Sequence, residues 1–190
     1  MLFWPVLLTR KGITVELRQE DIGSLRDVTQ HFESSVDLKA PCAAVFEHLD
    51  DFTKFGEHMM RSSWMMAGSA MRYEFDDARG RAQGATVRLL GSFLGLRLQI
   101  DERVVERAPP YRKSWETLGR ARMIILKGYR MGFDLTAQGT GSGLRVFIDY
   151  VLPERGLTRL IGRAFGSMYA RWCVRSVVEG AIARFDSPRP

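Results

Sequence analysis

Cysteine and histidine are scarce in this chain: two cysteines and three histidines in 190 residues. Cys42 and Cys173 stand far apart and form no CxxC pair. That excludes a disulfide framework and a thiolate zinc site, and it fits a reducing compartment, so a cytoplasmic location is expected. His31, His48 and His58 show neither HExxH spacing nor a partner cysteine, and no metal site is expected. No glycine-rich phosphate loop with its lysine and no GxSxG occurs. GSGLRV is followed by an alternating run rather than a helix, so it is a turn and not a nucleotide fingerprint. No cofactor is expected.

Long apolar runs are missing too. MLFWPVLL opens the chain, but it is short and Pro5 interrupts it; a membrane span needs about 20 apolar residues. Arg10 and Lys11 follow this run instead of preceding it, and no small-residue cleavage site comes after, which is not the order of a signal peptide. The segment is expected to be a flap, packed on its own domain or on a twin subunit in a homodimer. Weak peripheral membrane contact is the alternative.

Acidic residues are outnumbered, 22 against 28 basic ones, for a net charge of +6. That favours acidic partners without choosing one. Arg159, Arg163, Arg171, Arg175 and Arg184 face a single acid, Glu179, in the last segment. They read either as a stripe for anionic lipid head groups or as a solvated helix face. No aromatic-interleaved basic segment or nucleic-acid module occurs, so nucleic acid is not an expected partner.

What is present is ordinary globular material, 45% apolar and 26% charged, enough for one domain with a real core. Residues 1–30 are an extension and residues 31–187 the domain. Phe32, Val36 and Leu38 mark a strand, with an irregularity near Ser34 and Ser35. Pro41 suits a first helical turn; Val45, Phe46 and Leu49 make one helical face, and Phe52, Phe55 and Met59 suggest a second short helix after a break near Asp50 and Asp51. About six alternating runs follow, separated by links such as APP and QGTGSG, the latter a hairpin signal. Residues 157–185 lack proline and carry two apolar stripes: Leu157, Ile161, Ala164, Met168 and Trp172, then Val174, Val177, Val178, Ala181, Ile182 and Phe185. Strands followed by one long helix indicate an α+β layer whose helix lies deep against an antiparallel sheet.

VDLKAPCAAVFEHLDDFTKFGEHM near the start and GRAFGSMYARWCVRSVVEGAIARF at the end resemble the START-like, helix-grip proteins (the SRPBCC group), which include polyketide cyclases, lipid-transfer domains and the birch pollen allergen. The resemblance spans about residues 31–185. It implies a seven-stranded antiparallel sheet wrapped around the C-terminal helix, with two short helices after the first strand. It also implies a hydrophobic tunnel for a small ligand such as a lipid, quinone, polyketide or aromatic compound. Binding or transport of that ligand is the first expectation. A cyclase or dehydratase using acid–base side chains is the second, and a protein-interaction or respiratory-chain accessory module is the third.

The alternating row from Met123 to Leu135 includes Lys127, an odd occupant of an apolar face. A buried ammonium must be paired, neutralised or near a cavity mouth. Glu102 continues the parity of Leu98 and Ile100, and Lys113 that of Trp115. Lys127, His58 and Glu102 are the catalytic candidates. Expected ligand-lining residues are Trp64, Met71, Tyr73, Leu89, Leu98, Ile100, Trp115, Tyr129, Met131, Phe133, Ile148, Tyr150, Met168 and Trp172, with Lys127, Glu102 and Tyr129 orienting a polar group.

Overall fold

The computed structural model describes residues 30–57, 71–93, 96–119, 125–154 and 156–186. Strand β1 (Gln30–Leu38) is followed by helices α1 (Cys42–Asp50) and α2 (Phe52–Phe55). Then come β2 (Arg72–Phe75), β3 (Thr86–Phe93), β4 (Leu96–Ala108), β5 (Arg112–Thr117), β6 (Gly128–Gln138) and β7 (Gly141–Val151). Helix α3 (Gly156–Phe185) is the last of the described elements. The seven strands form one antiparallel sheet in the order β1-β7-β6-β5-β4-β3-β2. This is the α+β helix-grip architecture.

The expected irregularity in β1 is absent: pairing with β7 runs unbroken from Gln30 opposite Tyr150 to Leu38 opposite Ser142. The strand of Lys127 is shorter than its alternation suggested, since β6 begins at Gly128.

Alternation separates the two faces of the sheet. Val87, Leu89, Ile100, Val104, Trp115, Tyr129, Met131, Phe133, Leu144, Val146 and Ile148 point to the concave side and are buried. The convex side carries charges in a cross-strand ladder. Arg145 bridges Glu33 at 2.6 Å and Asp134 at 2.7 Å, and Arg112 holds Asp134 at 2.6 Å. These exposed pairs contribute little each, about 0–1 kcal/mol, but they keep that face in water and so fix which face is the core.

Helix α1 is docked by a buried ionic group. Lys113, with no exposed surface, donates to the Asp50 carbonyl at 2.6 Å and to Asp50 Oδ1 at 2.8 Å. Arg107 donates to both Asp50 carboxylate oxygens at 3.1 and 2.9 Å. Burial pushes the Asp50 carboxyl up, but the bonds and charges of Arg107 and Lys113 outweigh it and hold the group below its usual range. Lys113 also lies 4.3 Å over the Phe52 ring. The β5 lysine is thus committed to holding α1 and α2.

Helix α3 approaches the sheet closely through small residues. A side-chain carbon on Gly162 would meet Pro153 at 2.6 Å and the Ile125 carbonyl at 2.9 Å, and one on Gly166 would collide with Leu152. Gly162, Gly166, Ala170, Cys173, Val174, Val177, Val178 and Ala181 form the buried side. The stripe of Leu157, Ala164 and Met168, expected to pack inward, lies outside.

Candidate functional site

A cavity lies between the sheet and α3, lined by Phe52, Phe55, Tyr73, Ile100, Glu102, Trp115, Leu126, Tyr129, Met131, Ile148, Tyr169 and Cys173. Its free volume is about 30 Å³, room for one or two waters. Among the described residues this cavity is narrow rather than the wide tunnel implied by the family resemblance, because the aromatic side chains of α2, β5 and β6 fill most of the space. Phe55 packs edge-on against Trp115 at 4.7 Å, Phe52 meets Trp115 at 4.9 Å, and Phe55 stacks on Phe133 at 6.2 Å.

Glu102 is the chemical centre of this cavity. It projects from β4 on the same face as Ile100 because the strand is regular there; the β4 irregularity falls later, between Val104 and Glu106. Only 2% of it is exposed. Its carboxylate accepts hydrogen bonds from the Tyr129 hydroxyl and the Trp115 side chain. Among the described residues no cation pairs with it. Burial pushes its pKa up to about 7, and the bonds from Tyr129 and Trp115, with the charge of Lys113, oppose this only in part. Near neutral pH it is therefore close to half protonated.

Tyr129 is held by its backbone: Thr117 Oγ1 accepts from Tyr129 N and donates to Tyr129 O, both at 3.2 Å. Burial first, and the Glu102 charge second, raise the phenol well above its ordinary range, so it remains a neutral donor. Tyr73 reaches the same space from β2, where Gly56 leaves room for its hydroxyl. From α3, Tyr169 and Cys173 stand one turn apart. Burial pushes the Cys173 thiol up to about 12, which keeps it unreactive.

A second, larger hollow of about 400 Å³ lies on the surface between α1, α2 and the end of α3. His48, Lys54 and Arg184 edge it, with Leu49, Phe55, Val177 and Ala181 among its lining. Burial, then the charges of Lys54 and Arg184, lower the basicity of His48. Phe55 borders both hollows and partitions them.

Seven residues predicted from the sequence meet at the inner cavity: Tyr73, Ile100, Glu102, Trp115, Tyr129, Met131 and Ile148. The rest fall elsewhere. Lys127 sits one residue before β6, exposed, and pairs with Glu154 at 2.7 Å; it faces solvent, not the cavity. Met71, Leu89 and Phe133 are core, and Leu98 is half-buried. The Tyr150 hydroxyl donates to Gln30 at 2.8 Å on β1. Met168 is 38% exposed on the outer side of α3, and Trp172 lies half-buried beside Tyr169. His58 and Trp64 lie outside the described residues.

Phe52, Phe55, Leu126, Tyr169 and Cys173 line the cavity without having been singled out. The spacing of Gly162, Gly166 and Ala170, small residues four apart, was the available signal for which side of α3 faces inward. Among the described residues no three His, Cys, Asp or Glu side chains gather in a metal-binding group. No helix among them is long and apolar enough to cross a membrane.

Solved structures share this arrangement at low identity. The ZhuI aromatase/cyclase from Streptomyces sp. R1128 superposes with a TM-score of 0.58 at 17% identity, over 83% of this chain and 96% of that one. The di-domain aromatase/cyclase StfQ of the steffimycin biosynthetic pathway gives 0.61 at 14% identity, covering 88% of this chain and 54% of its own. Ara h 8.0201 gives 0.53 at 12% identity, over 82% and 99%. At these identities the likeness is one of fold. No curated protein matches the sequence. The family model described as polyketide cyclase / dehydrase and lipid transport matches residues 29–186, nearly the whole domain, and the chain belongs to that family.

Proposed function

We propose that the domain binds a small apolar ligand carrying a hydroxyl or carbonyl group, between the sheet and α3, with Glu102 and Tyr129 as its polar end. The observation that carries this reading is the environment of Glu102. The chain buries Asp50 in direct contact with two cations but buries Glu102 beside a void with none bonded to it, the charge of Lys113 acting on it only from a distance. A carboxyl kept that way is costly to the fold, and such groups mark functional sites more often than structural ones. Neutral Glu102 donates a hydrogen bond and its ionised form accepts one, so the pair suits a ligand oxygen of either kind.

The resting cavity has room for only one or two waters, so occupation requires Phe55 and the single turn of α2 to move aside and join the inner space to the surface hollow. Apolar burial then stabilises the complex by roughly 25 cal/mol per Å² before ordering costs. Extraction and mass spectrometry of compounds co-purifying with the full chain test this. An apolar compound retained by the wild type and depleted in Glu102→Gln and Tyr129→Phe supports it. Equal recovery from all three counts against it.

A second reading is an acid–base enzyme of the cyclase or dehydratase kind, favoured by one observation: a carboxyl titrating at about 7 in contact with a phenol. Proton transfer is most effective from a group titrating near the working pH. Glu102→Gln abolishing turnover of a poly-ketone while preserving its binding would select this reading over simple carriage.

A further inference from the structure

Four large apolar side chains stand exposed in the first half of α3. Leu157 is 71% exposed, Leu160 66%, Phe165 48% and Met168 38%. With Ala164 they form one stripe, opposite the Gly166, Ala170 and Cys173 side that meets the sheet. From Leu157 to Met168 the stripe runs about 17 Å. It is not displaced core, because the sheet-facing side is already closed by contact of Gly162 and Gly166 with Pro153 and Leu152.

The charge around the stripe has one sign. Arg159, Arg163, Arg171 and Arg175 are exposed, and no acid occurs between Gly156 and Val178. Arg171 leans over the Phe32 ring at 5.7 Å. Arg159, Arg163 and Arg175 form no ion pair among the described residues. Glu154, just before the helix, is engaged by Lys127. An acidic peptide would use the arginines and leave the aliphatic stripe wet. A surface of anionic lipid uses both, taking apolar side chains at the acyl boundary and guanidinium groups at the phosphates.

We propose that the first half of α3 docks this domain on an anionic lipid surface, with Leu157, Leu160, Phe165 and Met168 inserted and Arg163 and Arg175 at the head groups. This does not depend on what the inner cavity holds.

Co-sedimentation of the full chain with vesicles tests it. The probes are phosphatidylcholine alone and phosphatidylcholine with about 30% phosphatidylglycerol, at low salt and at about 0.5 M salt, where screening is strong. The expected result is binding to the anionic vesicles at low salt, at least about tenfold weaker on neutral vesicles or at high salt. The double variants Leu160→Glu/Phe165→Glu and Arg163→Glu/Arg175→Glu each lose at least about tenfold. Ile182→Glu, exposed at the far end of the same helix, binds like the wild type. Circular dichroism checks that each variant is folded.

Any of these results overturns the proposal: no binding by the wild type, equal binding to neutral and anionic vesicles, full binding by Leu160→Glu/Phe165→Glu, or binding that emerges only when residues 1–8 are deleted. The last would mean that the chain's own apolar start covers the stripe. A wild-type dimer that Leu160→Glu/Phe165→Glu turns into monomer would likewise overturn it, by assigning the stripe to a second copy.

Discussion

Replacing Glu102 by glutamine removes one ionisation and almost no volume, so its effect on stability isolates that ionisation. In the folded chain the carboxyl titrates at about 7, against 4.5 for the free side chain. The folded state therefore holds the proton more tightly than the unfolded state. Stability attached to this group is fully present below pH 4.5, declines as the pH rises from there, and is gone above about 7. Each tenfold change in acidity is about 1.4 kcal/mol. Wild type should thus lose about 3 kcal/mol relative to Glu102→Gln between pH 4.5 and pH 8.

Other groups shift with pH too, including Asp50, whose lowered pKa works in the opposite direction. They are common to both proteins and cancel in the difference. Urea unfolding of both chains at a series of pH values gives that difference directly. Wild type should equal or exceed the variant in acid and fall below it above neutrality. Two curves that stay parallel across this range would refute the reasoning, since Glu102 would then ionise as easily inside the fold as outside it.

The ionic group under α1 makes an asymmetric prediction. Asp50→Ala leaves Lys113 buried without a counter-charge and should cost about 3–5 kcal/mol in urea unfolding. Lys113→Met leaves Asp50 still bonded twice by Arg107 and should cost far less, about 1 kcal/mol. Equal losses would contradict this account of α1 docking. The Cys173 thiol, pushed up to about 12 by burial, should resist a disulfide exchange reagent at pH 8 until denaturant is added; rapid labelling of Cys173 in the native chain would show that the cavity wall opens freely.

The sheet was legible in the sequence because alternation is a local signal and each strand carries its own. Glu102 was legible for the same reason: it continues the parity of Ile100, and Tyr129 lies on an equally regular row. Lys127 misled because alternation does not mark where a strand begins. The chain is still arriving at the sheet there, with Lys127 N donating to the Val151 carbonyl at 2.8 Å, and the inward row starts at Tyr129. The face of α3 was ambiguous because two apolar stripes compete. Backbone contact at Gly162 and Gly166 settles it, and that contact depends on Leu152 and Pro153 of another segment. The size of the hollow was not legible at all. It is what remains after Phe52, Phe55 and Trp115 have packed together, and that packing joins segments far apart in sequence.

The central claim is that the space between sheet and α3 takes up an apolar ligand around Glu102 and Tyr129. Native mass spectrometry of the full chain, incubated with a panel of aromatic and acyl compounds, tests it most directly when wild type is compared with Ile100→Trp, which fills the cavity. A one-to-one adduct on the wild type that vanishes in Ile100→Trp is the predicted result. Bare protein throughout, or an adduct that survives the filling substitution, would contradict it.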